Sequence, residues 1–172
     1  MTSKEYELIK EMLQMQKKLD EAIMEEYGLT EIDEENLRMA ILDEVGELTH
    51  ELKGNWCWWK KTQPKVDKGK VLGELVDIWH FVLSYQNHFN DGEEGLGEYE
   101  SLVAEVQFHF SSINFNSNGF VDAFVYLLHY YSTRKVGNLC AISEYLGFTI
   151  EQVYECYCDK NKINYQRLEK GY

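Results

Sequence analysis

The sequence contains only one proline, Pro64, in 172 residues. Long stretches without proline favour helices, because a proline inside a helix removes a backbone hydrogen bond and clashes with the preceding turn. The sequence also lacks an apolar run of membrane-spanning length, and its first residues lack the apolar core of a signal peptide. These absences predict a largely helical, soluble protein located in the cytoplasm.

Basic residues are also scarce, with 17 Lys and Arg against 30 Asp and Glu, which gives a formal net charge of −13. A protein that binds nucleic acid needs a basic surface to neutralise phosphates, so this balance argues against nucleic acid as the main partner. A small anion held locally by a metal ion and a few basic side chains stays compatible with it. The four cysteines form no CxxC pair and no zinc-ligand spacing, which predicts reduced thiols.

Apolar residues are plentiful enough for a core, at 44% of the sequence, and aromatic residues make up 14%. This composition excludes a disordered chain. A chain of 172 residues without repeats, linkers or low-complexity segments is typical of one domain. We therefore expect a single domain that spans residues 1–172.

Apolar residues recur at helical spacing along most of the chain, which predicts an all-α bundle. Turn residues separate the helices at 54–69, 90–97 and 114–119. The second and third helices should be antiparallel neighbours. The predicted helices cover residues 3–27, 33–53, 70–89, 98–113, 120–131 and 138–146, followed by a last helix that opens with a Thr149–Gln152 capping box.

Two pairs of carboxylates stand three residues apart, Glu44 with Glu47 and Glu74 with Asp77. Each pair shares one face of its own helix, beside an apolar stripe. If the two helices face each other, the four carboxylates repel, and a cation with oxygen ligands such as Mg²⁺ removes that repulsion. The sequence therefore predicts a metal site. The alternative is a solvated acidic surface, since single pairs of this kind are common.

The loop between the two pairs is rich in tryptophan, because Trp56, Trp58 and Trp59 lie within four residues. One interpretation is that the loop folds over the core and buries its indoles. The other makes one indole the wall of a ligand pocket and brings Lys60 and Lys61 near the carboxylates, where they could meet an anion.

The last helix carries Lys160, Asn161, Asn164 and Arg167. Positions 160, 164 and 167 fall on one narrow stripe of a helix. Cationic and amide donors in a line suit phosphate oxygens, because lysine supplies a point charge and arginine a planar fork. The alternative is a solvated face near the C-terminus.

Gln16 and Asp20 stand four apart in the first helix, where an amide beside a carboxyl could read the edge of a base, although a surface location is the simpler interpretation. His50 and His80 each follow a carboxylate by three residues, which is the spacing of the di-iron bundle motif. A series with steps of three rotates around a helix, so His50 ends about 120° from Glu44. We interpret both histidines as structural or as partners of the ligands.

Taken together, these motifs resemble the all-α nucleoside triphosphate pyrophosphohydrolases, the MazG-like superfamily, and within it the dimeric dUTPases of Gram-positive bacteria and their phages. The carboxylate pairs are typical of the superfamily, whereas the Trp loop and the last helix are similar to the dUTPase branch. The matching stretches are QKKLD at 16–20, LDEVGEL at 42–48, WWK at 58–60, GELVDIWHF at 73–81, KNKINYQR at 160–167 and GY at 171–172.

The resemblance implies hydrolysis of dUTP, and of dUDP, to dUMP, with pyrophosphate released from dUTP. It implies that Mg²⁺ is held by Glu44, Glu47, Glu74 and Asp77, and that Glu47 is the catalytic base. The substrate-binding residues that it implies are Gln16, Asp20, Trp59, Lys60, His80, Lys160, Asn161, Asn164 and Arg167.

The resemblance also implies a homodimer, and the aromatic residues in the second half of the chain exceed what one small core needs. These residues are Phe108, Phe110, Phe115, Phe120, Phe124, Tyr126, Tyr130 and Tyr131. Three other functions stay open at this point. They are a MazG-like hydrolase for another nucleoside triphosphate, a di-iron carboxylate bundle, and a helical interaction module that docks through its Trp loop.

Overall fold

The computed structural model describes residues 1–115, 119–129 and 132–171, and all regular structure within these residues is helical. This confirms the predicted all-α fold class. The helices in chain order are α1 (Ser3–Tyr27), α2 (Glu34–Glu51), α3 (Lys53–Trp56), α4 (Lys68–Phe89), α5 (Gly92–Leu96), α6 (Tyr99–Phe115), α7 (Gly119–Leu128), α8 (Lys135–Tyr145) and α9 (Ile150–Glu169).

Several helix ends follow the local signals in the sequence. Helix α1 stops at Gly28, whose φ of 64° is a left-handed conformation that glycine adopts without steric cost. Asp33 caps α2, because its side chain accepts a hydrogen bond from the backbone N–H of Asn36 at 2.8 Å. Thr149 and Gln152 form the predicted capping box at the start of α9.

Helices α2 and α4 pack against each other, as predicted. They run antiparallel, since Tyr85 near the end of α4 donates a hydrogen bond of 2.6 Å to Glu34 at the start of α2. Their apolar stripes enter a core to which α1, α6, α7, α8 and α9 also contribute. Trp79 is fully buried in this core and donates to Ser143 Oγ at 3.1 Å, which ties α4 to α8.

The loop predicted at 54–69 is shorter than expected at both ends, because α3 occupies its first part and α4 starts early. The Asp67 carboxylate explains the early start, since it accepts hydrogen bonds from the backbone N–H groups of Gly69 (2.8 Å) and Lys70 (3.3 Å). The loop folds back against Gly54, where a Cβ atom would lie 2.8 Å from the carbonyl oxygen of Pro64.

The segment at 90–97, predicted as an exposed turn, contains the short helix α5. Its Leu96 is buried in the core and holds the segment against the protein. The acidic composition of the segment did not predict this contact. Gln86 on α4 fixes the turn by donating from Nε2 to the carbonyl oxygens of Asn90 and Gly92, both at 2.9 Å.

Helix α8 begins at Lys135, before the predicted start at 138. The side chain of Lys135 is fully buried, and its ammonium donates to the carbonyl oxygens of Leu127 (2.6 Å) and His129 (2.8 Å) at the end of α7. Burial lowers the pKa of Lys135 to about 8. The sequence did not predict this buried helix start, because the hydrogen-bond partners of Lys135 are carbonyl groups at the end of another helix.

Within the described part of the chain, no helix is long and apolar enough to cross a membrane. All four cysteines are free thiols, in agreement with their spacing. Residues 116–118, 130–131 and 172 lie outside the described residues. The predictions that involve Tyr130, Tyr131 and Tyr172 therefore fall outside them as well.

Candidate active site

The two carboxylate pairs come together between α2 and α4. Glu44, Glu74 and Asp77 each place one carboxylate oxygen within 4.8 Å of the others. Glu47 lies beside them, and its negative charge contributes to the raised pKa of the Glu74 carboxyl. Antiparallel packing of the two helices has this effect, because residues three apart on one helix face the corresponding pair on its neighbour.

Burial and mutual repulsion perturb the carboxylates. Burial, followed by the negative charges of Asp77, Glu47 and Glu74, raises the pKa of Glu44 to about 7. Burial also raises the pKa of Glu74, against the lowering effect of the Lys160 charge. The Lys160 ammonium forms an ion pair with Asp77 and partly offsets the negative charge. The cluster as a whole favours an additional positive charge.

The donor set of this cluster fits a hard divalent cation. Mg²⁺ prefers oxygen ligands at about 2.0–2.1 Å, which places opposite ligands of an octahedron about 4.2 Å apart. The three carboxylate oxygens lie within 4.8 Å of one another, so a single cation between them can contact more than one of them. Among the described residues, the group of potential ligands contains no histidine, and a ring nitrogen of His50 lies 2.7 Å from Lys53 Nζ. This arrangement favours an all-carboxylate site over the di-iron motif.

A cleft of about 630 Å³ opens beside the carboxylates, between α1, α2, α4 and α9. Its walls differ in charge, since α2 and α4 contribute acidic groups and α9 contributes basic and amide groups. Phe81 adds an aromatic side chain that the sequence patterns do not single out. The predicted site residues that line the cleft are Gln16, Asp20, Glu44, Glu47, Asp77, His80, Lys160, Asn164 and Arg167.

The predicted stripe on α9 faces this cleft through Lys160, Asn164 and Arg167. Lys160 stands at the end nearest the carboxylates, because it pairs with Asp77. Asn161 is buried beside the stripe and does not line the cleft, and its Nδ2 atom has no hydrogen-bond partner among the described residues. The arrangement provides a row of hydrogen-bond donors that begins at the acidic cluster and is chemically suited to anionic oxygens.

Another part of the cleft wall is formed by three buried polar side chains, Gln16, Asp20 and His80. Gln16 Nε2 donates to Asp20 Oδ1 at 2.7 Å, and Gln16 Oε1 lies 2.7 Å from His80 Nδ1. Burial, followed by the Lys160 charge, lowers the pKa of His80 to about 3, so the ring is neutral. Because an amide oxygen only accepts, Nδ1 carries the proton and Nε2 is left as an acceptor. That buried Nε2 has no partner among the described residues.

The Trp loop lies away from this cleft. The indoles of Trp56, Trp58 and Trp59 are 44%, 87% and 58% exposed, so the interpretation that the loop buries them is wrong. The buried residue of the loop is Cys57. Of the described residues that line the cleft, none is Trp59 or Lys60. Their predicted role in binding substrate stays a prediction.

Two residues of the site carry no sequence signal of the kind used above. Tyr157 on α9 is fully buried and donates to Gln16 Oε1 at 2.8 Å. His88 on α4 places Nε2 3.2 Å from Asp20 Oδ2. Tyr157 stands three residues before Lys160, but the α9 stripe was defined by cationic and amide donors, so a tyrosine one turn earlier was not part of the pattern.

A family model described as dUTPase matches residues 8–172, nearly the whole chain. The matched range contains every carboxylate of the cluster and every residue that lines the cleft. A search of curated proteins finds no match.

Proposed function

Since the chain belongs to the dUTPase family, which implies dUTP diphosphatase activity, we propose that it hydrolyses dUTP and dUDP to dUMP and releases pyrophosphate from dUTP. One observation supports this proposal most. Glu44, Glu47 and Asp77 share one cleft with the basic stripe of α9, and Glu74 belongs to the same carboxylate cluster. A nucleoside triphosphate that carries a divalent cation needs both kinds of group, one for the cation and one for the phosphates.

In this proposal Glu44, Glu47, Glu74 and Asp77 hold Mg²⁺. Bound Mg²⁺ supplies neutralisation of phosphate charge and a lower pKa for water. Glu47 accepts the proton of the water that attacks phosphorus. It is the best placed of the four for this role, because it is exposed, lines the cleft and stands outside the tight group formed by the other three.

Lys160, Asn164 and Arg167 hold the phosphate oxygens in this proposal. Charged donors are roughly twice as strong as neutral ones when they bind anionic oxygens. The stripe runs from the Asp77 ion pair towards the end of α9, so it can orient a chain of phosphates relative to the carboxylates. Holding the leaving pyrophosphate in one orientation lowers the barrier to displacement.

Gln16, Asp20 and His80 form the nucleoside end of the proposed site. The Watson–Crick edge of uracil presents an N–H donor between two carbonyl acceptors, so its partners must combine an acceptor with donors. The neutral His80 ring leaves Nε2 as an acceptor, and Gln16 Nε2 has a second hydrogen beyond the one given to Asp20. Cytosine offers an acceptor at N3 and pairs poorly with such an edge.

The proposed site also includes three residues outside the lining of the cleft, Trp59, Lys60 and Asn161. Trp59 and Lys60 do not line the cleft, so they reach the substrate only when their loop moves towards it. Asn161 contributes through its buried Nδ2, which has no partner among the described residues and so is able to donate to a ligand or an ordered water.

Binding of Mg²⁺ should strengthen as the pH rises through about 7. Below its raised pKa of about 7, Glu44 is protonated and the proton competes with the cation. We expect the affinity for Mg²⁺ without nucleotide to be about tenfold weaker at pH 6 than at pH 8, with proton release at the lower pH. Calorimetric titration in two buffers of different ionisation enthalpy measures both quantities. Equal affinities and no proton release would rule out this assignment.

We also propose that the chain forms a homodimer. Phe108 and Phe115 on α6 are 70% and 92% exposed, and Val121 and Val125 on α7 are also exposed, whereas Phe124 is buried in the core. Exposed apolar side chains in such number mark an interface. Light scattering at micromolar concentration should give about twice the chain mass of 20.3 kDa, and Phe115→Asp should lower it. A mass of one chain for the unmodified protein would contradict the proposal.

A panel of nucleotides tests the proposed substrate. The protein is incubated with Mg²⁺ and dUTP, dCTP, dTTP or UTP, and the products are separated by chromatography. We expect dUTP to be preferred over dCTP by at least about 100-fold in kcat/KM, because a buried polar site rejects a base that leaves its groups unpaired. Preference for another nucleotide would indicate a MazG-like hydrolase of different specificity. Hydrolysis of none would favour the interaction module.

A further inference from the structure

A hydrogen-bonded network connects α1, α4 and α9 behind the nucleoside end of the cleft, with Gln16 at its centre. Gln16 Oε1 lies 2.8 Å from the Tyr157 hydroxyl and 2.7 Å from His80 Nδ1. On its other side, Gln16 Nε2 donates to Asp20 Oδ1 at 2.7 Å, and Asp20 Oδ2 lies 3.2 Å from His88 Nε2. The network spans three helices that are far apart in the sequence.

The partners of Gln16 assign the orientation of its amide. A carboxylate such as that of Asp20 accepts hydrogen bonds, so the amide nitrogen must be on that side. The Tyr157 hydroxyl and the His80 Nδ1–H both donate, so the amide oxygen must be on the other. Burial raises the pKa of Tyr157 well above its usual range, which keeps the hydroxyl protonated and able to donate.

Tyr157 touches both base-facing residues without reaching the cleft itself. Its ring is fully buried and stacks on the His80 ring, with centroids 4.1 Å apart and planes 19° from parallel. Its hydroxyl bonds Gln16, and a weaker contact of 3.3 Å reaches the carbonyl oxygen of Met12. Any effect of Tyr157 on a substrate must therefore pass through Gln16 and His80.

We infer that Tyr157 is a positioning residue for base discrimination, which holds the Gln16 amide and the His80 ring in one hydrogen-bonding arrangement. In that arrangement Gln16 offers an amide N–H and His80 offers an unprotonated Nε2. With N3 of the base against His80 Nε2, this combination pairs with the N3–H and a neighbouring carbonyl of uracil, whereas cytosine presents an acceptor at N3. The inference rests on the proposed function for its substrate, and on the described contacts alone for the positions of the three side chains.

Without the hydroxyl, Gln16 Oε1 keeps one donor instead of two, and a rotated amide becomes less costly. His80 then exchanges its proton between Nδ1 and Nε2 at a lower cost, because Asp20 alone still fixes the polarity of the Gln16 amide. A ring protonated at Nε2 offers a donor where uracil needs an acceptor. Loss of the hydroxyl should therefore weaken recognition of uracil more than it weakens recognition of cytosine.

Tyr157→Phe tests this inference, since it keeps the stacked ring and removes only the hydroxyl. We expect kcat/KM for dUTP to fall about tenfold, mainly through KM, while that for dCTP changes much less. Tyr154→Phe is the matched control, because Tyr154 stands on the same helix and interacts with Glu11 and Cys158 instead. It should leave both values unchanged. Proportional losses for the two nucleotides, or no loss, would make Tyr157 a packing residue only.

The ¹⁵N chemical shifts of the His80 ring give a second readout that needs no substrate. The unmodified protein should show a neutral ring protonated at Nδ1, and Tyr157→Phe should show a mixture of the two tautomers. A ring protonated at Nε2 in the unmodified protein would overturn the inference whatever the variant does. If the protein does not hydrolyse dUTP, the proposed function fails, and these shifts still decide whether Tyr157 sets the arrangement.

Discussion

Replacing Glu47 with Gln is expected to lower the rate of dUTP hydrolysis by at least about 100-fold while the protein stays folded. The amide keeps the shape of the side chain and removes the charge that binds a cation and accepts a proton. The fold should tolerate the change, because Glu47 is exposed and its neighbours in the cluster are also acidic. Steady-state turnover at saturating Mg²⁺ and dUTP measures the effect.

The role of Glu47 as a base can be separated from a role as a ligand. Glu35→Gln is the matched control, since it removes the same charge from an exposed position near the start of the same helix. It should leave turnover unchanged. If Glu47 acts mainly as a base, the variant loses turnover but still binds Mg²⁺, and if it acts as a ligand, both are lost. Near-normal turnover in the Gln variant would show that the assignment is wrong.

Arg167→Ala should weaken binding of a non-hydrolysable dUTP analogue by roughly 10- to 150-fold, which corresponds to about 1.5–3 kcal/mol for one charged hydrogen bond. Arg167 lies near the end of α9, on the stripe that lines the cleft with Lys160 and Asn164. It stands farther along the stripe from the carboxylates than Lys160 does, which suits the terminal phosphates. The loss should therefore be larger for the triphosphate analogue than for dUMP, which lacks those oxygens.

Calorimetric Kd values for the analogue and for dUMP on both proteins test this expectation. Lys162→Ala is the control, because this substitution also removes one positive charge from α9. Lys162 pairs with Asp159 on the exposed side of the helix. It should change either Kd by less than about threefold, through screened long-range charge alone. Equal losses of affinity for the two ligands in Arg167→Ala would indicate that Arg167 contacts the nucleoside or the α-phosphate. No loss for either ligand would indicate that Arg167 lies on a solvated face.

The parts of the fold that could be predicted are those with local causes. Gly28 ends α1 through its own backbone conformation, and Asp33 and Thr149 cap helices through neighbours three residues away. The start of α8 could not be predicted in this way. It depends on Lys135, whose ammonium is buried against the end of α7, and only the packed structure provides those carbonyl oxygens.

The same division applies to the candidate site. The carboxylate spacing and the α9 stripe are periodic features of single helices, and antiparallel packing brings them to one cleft. The bond between Tyr157 and Gln16 joins residues 141 positions apart. No spacing within one helix encodes such a contact, so Tyr157 had no signal of its own.

The residue types of the Trp loop did not predict how the loop packs. Three indoles in four residues indicate contact with an apolar surface or ligand. Burial against the core and the wall of a ligand pocket were equally consistent with this pattern. Exposure of Trp56, Trp58 and Trp59 rules out the interpretation that the loop buries its indoles. Loop packing depends on long-range contacts such as that between Gly54 and Pro64, which helical periodicity does not describe.

In the proposed function, this cleft hydrolyses dUTP to dUMP with the help of a divalent cation held by the carboxylates of α2 and α4. The most direct test follows dUTP by ³¹P NMR in the presence of the protein, once with Mg²⁺ and once with EDTA. We predict equal amounts of dUMP and pyrophosphate with Mg²⁺, and no turnover with EDTA. Release of orthophosphate instead of pyrophosphate, turnover that persists in EDTA, or intact dUTP in both samples would contradict the claim.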